Sequence, residues 1–250
     1  MPPLRDLLPH VTTLLCDADG NLFPSEEPAF AASTTVTNQF LERVGSPDRW
    51  DPDGLRQAAL GRNFRALAGD LLAERALAMP DDEMESWVRR EQEVVTQRLR
   101  DELEVDDRVR APLARLAERW GLALVSSSAL ARLDVCLAAT RLTHLFPAAV
   151  RYSAQDSLPS PTSKPDPAVY TAALAGLGLR AEEALAVEDA VSGVRSAVGA
   201  GIAVVGNLVF VPHDERAAQE RALLEAGAVA VVPDWAALEA LLTETAQVPA

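Results

Sequence analysis

Lysine is almost missing from this chain. Of the 23 Lys and Arg residues, one is lysine, Lys164, and the other 22 are arginine. The composition leans toward Ala, Arg and Leu. A single lysine surviving in it points to a task that a planar guanidinium cannot do. Cysteine is scarce as well. Cys16 and Cys136 sit in apolar stretches without metal-ligand spacing, which excludes a disulfide scaffold or a zinc centre. They read as reduced thiols of a cytoplasmic protein. No apolar run reaches the length of a membrane-spanning helix. The first ten residues carry Arg5, Asp6 and prolines and lack the apolar core of a secretion signal, so no secretion is expected. Positive charge is in deficit: 37 acidic residues face 23 basic ones, a net charge of −14. That argues against a nucleic-acid or anionic-membrane surface. It leaves room for a small anion, provided its site is locally positive. His10, His144 and His213 have no paired spacing and no nucleophile motif beside them, so they read as structural or surface groups. No internal repeat is evident.

What is present suits a folded protein. With 48% hydrophobic and 24% charged residues, the 250-residue chain can form one large domain or a core with a smaller insert. The stretch Val11 to Gly20 organises the rest. Leu14 to Cys16 reads as a strand buried on both faces, as in the centre of a parallel sheet. It stops abruptly at Asp17, Ala18, Asp19 and Gly20, and in open α/β sheets ligands bind just beyond such strand ends. Asp17 and Asp19 are two apart, so an extended chain points both carboxylates the same way. Like charges that close need a cation or a shared proton. One carboxylate held ionised by a metal and the other free to carry a proton is the arrangement expected. An ordinary Asp-Gly turn is the bland alternative for this stretch alone.

After Pro24 the pattern is helical only, to about Glu104. Ser25 is placed to cap the first helix, with Glu26 and Glu27 in its first turn. Apolar residues recur at helical spacing around Phe40, Leu67, Leu71, Trp87 and Leu99. Gly61 marks a break, with Arg62, Asn63 and Arg65 beside it. From Asp106 helices and strands alternate. Val109, Leu113, Leu116 and Trp120 form one helix face, and the strand Leu122 to Val125 ends at Ser126, Ser127 and Ser128. A short strand near Tyr152 leads into a loop from Ser153 to Ser163. Asp166 and Pro167 suit the start of the next helix. Leu185 to Val187 is a buried strand ending at Glu188 and Asp189, and two further strands with their helices complete the chain. The alternation predicts a doubly wound, Rossmann-like parallel sheet with helices on both faces and an inserted all-α domain. The expected boundaries are 1–23 with 106–250 for the core and 24–105 for the insert.

Four polar strand ends then fall on one edge of the sheet: Asp17 with Asp19, Ser126, Lys164, and Glu188 with Asp189. Here the chain resembles a known family, the haloacid dehalogenase (HAD) superfamily, over nearly its whole length. Asp17-Ala18-Asp19-Gly20 is similar to its first motif and Ser126 to its second. Ser163-Lys164-Pro165-Asp166-Pro167 is similar to the third, and Glu188-Asp189 followed by Ser192-Gly193 to the fourth. The helical insert lies where one branch carries its cap, as in phosphoglycolate phosphatases and β-phosphoglucomutases. The resemblance implies Mg²⁺-dependent phosphoryl transfer through an aspartyl phosphate. Asp17 would be the nucleophile and Asp19 the proton donor and acceptor. Asp17, the backbone carbonyl of Asp19, and Asp189 would hold Mg²⁺, with Glu188 acting through bound water. Ser126 and the backbone N–H of Ser127 would hold phosphoryl oxygens, and Lys164 would neutralise charge among them. Arg62, Asn63 and Arg65 would contact substrate from the loop between the second and third helices of the insert; the alternative is that both arginines lie on the solvated outer face of the helix that buries Phe64 and Leu67.

The resemblance also sorts reactions. Asp19 argues against haloacid dehalogenation, whose branch lacks the second aspartate. An insert without lysine argues against phosphonate cleavage through a Schiff base. β-Phosphoglucomutases carry a histidine four residues past a Ser or Thr on the first cap helix, and the fourth residue after Ser25 is Ala29. Hydrolysis of a small phosphomonoester is therefore expected, with a sugar phosphomutase and a catalytically silent binding module as alternatives. Asn21, where the family more often has Thr or Val, and Pro24, in place of a frequent Asp, are departures.

Overall fold

The computed structural model describes residues 8–59 and 63–245. They divide into two compact units: one made of the chain up to Pro24 and from Glu104, the other Ser25–Leu103.

The first unit is a sheet of six parallel strands in the order β3-β2-β1-β4-β5-β6. The strands are β1 (Thr13–Cys16), β2 (Gly121–Ser126), β3 (Arg151–Ser153), β4 (Ala184–Glu188), β5 (Ala203–Asn207) and β6 (Ala230–Val232). β1 lies between β2 and β4, with Cys16 opposite Leu124 on one side and Val187 on the other. That position explains its composition: Leu14, Leu15 and Cys16 are all fully buried, as a central parallel strand requires. The steps β1 to β2 to β3 run one way across the sheet and β4 to β5 to β6 the other. With right-handed crossovers, their helices fall on opposite faces. One face carries α7 (Ala168–Leu177), α8 (Val191–Gly199) and α9 (Arg216–Ala226). There Leu15, Val125, Ala186 and Val204 pack with Tyr170, Val194 and Leu223. The other carries α5 (Asp107–Leu116) and α6 (Leu130–Ala139), and α10 (Trp235–Thr245) packs on α5.

The second unit is four helices: α1 (Glu26–Arg43), α2 (Pro52–Ala59), α3 (Phe64–Glu74) and α4 (Asp81–Glu102). Their apolar faces close a separate core around Phe40, whose ring meets Phe64 and Trp87 edge-on at 5.9 and 5.6 Å. No described helix is long and apolar enough to cross a membrane.

Several local expectations change. α5 ends at Leu116, and Trp120 lies beyond it in the turn that leads to β2, where its N–H donates to the Leu116 carbonyl. Ser25 stands at the N-cap of α1 but its hydroxyl makes no capping bond. Asp166 accepts from the Ala168 N–H at 2.8 Å but stands one residue before the N-cap, which is Pro167, so α7 begins one residue later than expected. Gly61 and Arg62 lie outside the described residues. Cys16 and Cys136 are free and buried, and burial pushes both thiols well above their ordinary range.

Candidate active site

Register builds the site. β1 and β4 pair so that Asp17, the residue after β1, donates its N–H to the Val187 carbonyl at 3.0 Å and stands beside Glu188. β1 and β4 also mark the point where the strand order turns, the usual crevice of an open parallel sheet. Lys164 reaches the same place from the loop before α7. Its Nζ donates to Asp17 Oδ1 at 2.5 Å, Glu188 Oε1 at 2.7 Å and the Val125 carbonyl at 2.8 Å. All three donor sites of the ammonium are thus used by oxygens converging from three strand ends. A planar guanidinium does not match that geometry. Tyr170 on α7 donates its hydroxyl to Glu188 Oε1 at 2.5 Å, and its ring lies 5.2 Å from the ammonium.

Electrostatics follow from the sharing. Burial opposes the Lys164 ammonium, but Asp17 and Glu188 outweigh it and hold it protonated. Burial pushes the Asp17 carboxyl up, with Lys164 pulling the other way and Glu188 pushing with burial. One ammonium serves two buried carboxyl groups, which leaves a surplus of acidic groups over bases. Tyr170 is held well above its ordinary range by burial and by the same carboxylates, so it acts only as a donor.

A divalent cation fits this surplus. Asp17, Glu188 and Asp189 each offer an oxygen within 4.8 Å of the others, and no described histidine or cysteine joins that cluster. An all-carboxylate set suits a hard cation such as Mg²⁺. Two glycines make the space. Gly20 has φ 77°, and a Cβ there would sit 2.2 Å from Asp189 Oδ2. At Gly193, in α8, a Cβ would sit 1.9 Å from Glu188 Oε2. Both carboxylates therefore lie directly against backbone, where any side chain would displace them.

Asp19 is not aimed by strand pleating. β1 ends at Cys16, and the chain turns back, with the Leu22 N–H on the Ala18 carbonyl at 2.8 Å and an isolated bridge from Asp19 to Phe23. Its carboxylate takes Ser128 Oγ at 2.8 Å and Arg132 Nη2 at 2.9 Å. Ser126 Oγ accepts from the Ser128 N–H at 3.0 Å, and Ser127 Oγ from the Lys164 N–H at 3.1 Å. Each hydroxyl keeps its proton to donate elsewhere. In the helical unit, Asn63 caps α3 by accepting from the Ala66 N–H, and Arg65 pairs with Glu85 at 2.5 Å.

Sequence reading passed over Tyr170, Ser128 and Arg132. It also passed over the role of Asn21. Fully buried, Asn21 donates to the carbonyls of Asp17 (3.0 Å) and Val187 (3.1 Å) and accepts from buried Asn207 at 2.8 Å. It ties the ends of β1, β4 and β5 together. The available signal was Asn21 itself, a polar amide where the family more often has Thr or Val. The Ser153–Ser163 loop anchors the serine loop: Ser153 Oγ donates to the Ser128 carbonyl at 2.8 Å, and Asp156 Oδ2 accepts the Leu130 N–H at 2.6 Å.

No curated protein matches the chain by sequence. Among solved structures, a HAD family hydrolase from Deinococcus radiodurans R1, with bound phosphate and sodium, is 25% identical. Its TM-score is 0.67 over 95% of this chain and 97% of its own. CbbY from Rhodobacter sphaeroides, in complex with phosphate, is 21% identical with a TM-score of 0.70 over 91% and 96%. A predicted phosphoglycolate phosphatase from Haemophilus somnus 129PT is also 21% identical, with a TM-score of 0.70 over 93% and 98%. The last two show the fold alone. Residues 11–201 match the family profile described as haloacid dehalogenase-like hydrolase, and the chain belongs to that family.

Proposed function

We propose that this protein is a Mg²⁺-dependent phosphatase that hydrolyses a small phosphorylated metabolite through a phosphate ester of Asp17. The observation that carries this is the buried Asp17–Lys164–Glu188 cluster, with Asp189 beside it, at the sheet's switch point. Phosphate bound to the Deinococcus relative supports the substrate class.

In the first step an Asp17 carboxylate oxygen attacks phosphorus and the bond to the leaving oxygen breaks. Asp19 gives that oxygen its proton. In the second, water attacks phosphorus, Asp19 takes the water's proton, and the bond to Asp17 breaks to release inorganic phosphate. Lys164 neutralises charge gathering on the phosphoryl oxygens, and Ser126 with the Ser127 N–H holds them. Asp17, Asp189 and the Asp19 carbonyl would hold Mg²⁺, with Glu188 supporting it through water. The ion supplies the charge that lets a dianionic ester approach an acidic site. Arg62, Asn63 and Arg65 are assigned to substrate choice. The insert 24–105 acts as the cap in this reading.

The test is release of phosphate from p-nitrophenyl phosphate and a panel of phosphorylated metabolites, with and without Mg²⁺. Mg²⁺-dependent release, abolished in a folded Asp17→Asn variant, is expected. Normal turnover by that variant would sink the proposal. Conversion of a β-hexose 1-phosphate into its 6-phosphate without free phosphate would establish the mutase instead.

A further inference from the structure

Asp19 sits in the 18–23 turn, whose backbone is closed by the Gly20 N–H on the Phe23 carbonyl at 3.0 Å. The turn fixes its Cα but not its side chain. The carboxylate is about a quarter exposed, at 23%, so an unheld side chain would sample several rotamers. Both of its oxygens are held, and these two contacts come from one place. Ser128 Oγ, just before α6, donates to Oδ2, and Arg132, in the first turn of α6, donates to Oδ1.

That place is itself fastened. Ser126 Oγ takes the Ser128 N–H, Ser153 Oγ holds the Ser128 carbonyl, and Asp156 caps the α6 N-terminus at Leu130. Lys164 is committed to Asp17 and Glu188. The two aspartates of the 17–20 stretch thus have separate cations: an ammonium for Asp17 and a guanidinium for Asp19.

We infer that Arg132 and Ser128 are positioning residues that aim the Asp19 carboxyl at the leaving oxygen. The inference rests on the aspartyl-phosphate reading above. Arg132 can only donate, so it fixes where Oδ1 lies. A hydroxyl both donates and accepts, so Ser128 adapts to either state of Oδ2.

Two esters of similar size separate positioning from a merely structural role. p-Nitrophenolate departs without a proton, whereas phenolate is a much poorer leaving group and needs one. The ratio kcat/KM covers the steps through departure of the leaving group. With Arg132→Ala, kcat/KM for phenyl phosphate should fall about 10- to 100-fold, part of the ~10²–10⁴ that a placed proton donor supplies. For p-nitrophenyl phosphate it should fall by less than about threefold, since that departure does not use the donor. Arg132→Lys, which keeps the charge but loses the fork, should recover part of the difference. Ser128→Ala should show the same selectivity to a smaller extent. Equal losses on the two esters, with the fold intact by circular dichroism, would overturn the inference. Unchanged or faster cleavage of phenyl phosphate would overturn it too, by showing that Arg132 parks Asp19 in an idle pose. Failure of the underlying reading looks different: Asp17→Asn would remain active, or the wild type would cleave neither ester, and the inference would fall with it.

Discussion

Asp17 shares one ammonium with Glu188, and the sharing has a pH signature. Burial raises the Asp17 carboxyl from 3.8 to about 8 in the metal-free protein. A carboxyl whose pKa is higher folded than unfolded contributes stability that is fully present below the unfolded value. It loses that contribution as pH rises through the folded one. Metal-free wild type should therefore melt at progressively lower temperature between about pH 4 and about pH 8, and Asp17→Asn should not follow. Mg²⁺ should restore the wild type at the upper end. Parallel melting curves of the two proteins across that range would mean that Asp17 is ionised throughout. The same residues predict an order of metal affinity. Glu188 Oε1 is already taken by Lys164 and Tyr170, whereas Asp189 lies against Gly20. Calorimetric titration should find Mg²⁺ binding weakened more by Asp189→Ala than by Glu188→Ala. A reversed order would exchange their roles.

At the scale of elements, the N-cap residue of α6, Ala129, has no polar side chain to cap it, and the Leu130 N–H borrows Asp156 from 26 positions away. Asp156→Ala should cost about 1 kcal/mol, the usual value of a lost cap. Denaturant titration would read it, and a change below about 0.3 kcal/mol would mean that water replaces the carboxylate. This cap also marks where sequence reading stops. The strands were legible because apolar runs end at polar residues: Leu14 to Cys16 at Asp17, Leu122 to Val125 at Ser126, Leu185 to Val187 at Glu188. The four strand ends were legible because a parallel sheet puts them on one edge. Asp156 on Leu130, Arg132 on Asp19 and Asn207 on Asn21 were not. Each joins residues far apart in the chain, and neither partner carries a local pattern that names the other. Tyr170 was hidden differently, since on an apolar helix face a tyrosine reads as core. The pleat rule does not account for the placing of Asp19, because the strand ends three residues earlier.

At the scale of the molecule, a net charge of −14 makes local cations decisive for an anionic substrate. Arg62 and Arg65 are proposed to choose it. Arg65 pairs with Glu85 where both are about half exposed, an interaction worth under about 1 kcal/mol, so Arg65→Ala should fold. Once the native ester is found, either arginine replaced by alanine should lower kcat/KM for it far more than for p-nitrophenyl phosphate. Equal effects would place the selector elsewhere.

In the proposed reaction the phosphoryl group passes through Asp17. An acyl phosphate is reduced by borohydride to an alcohol, which converts a phosphorylated aspartate to homoserine. Enzyme quenched during turnover, reduced and digested should give homoserine at position 17 by peptide mass spectrometry, dependent on substrate and absent from Asp17→Asn. Homoserine at another aspartate, or an unmodified Asp17 during active phosphate release, would contradict the account.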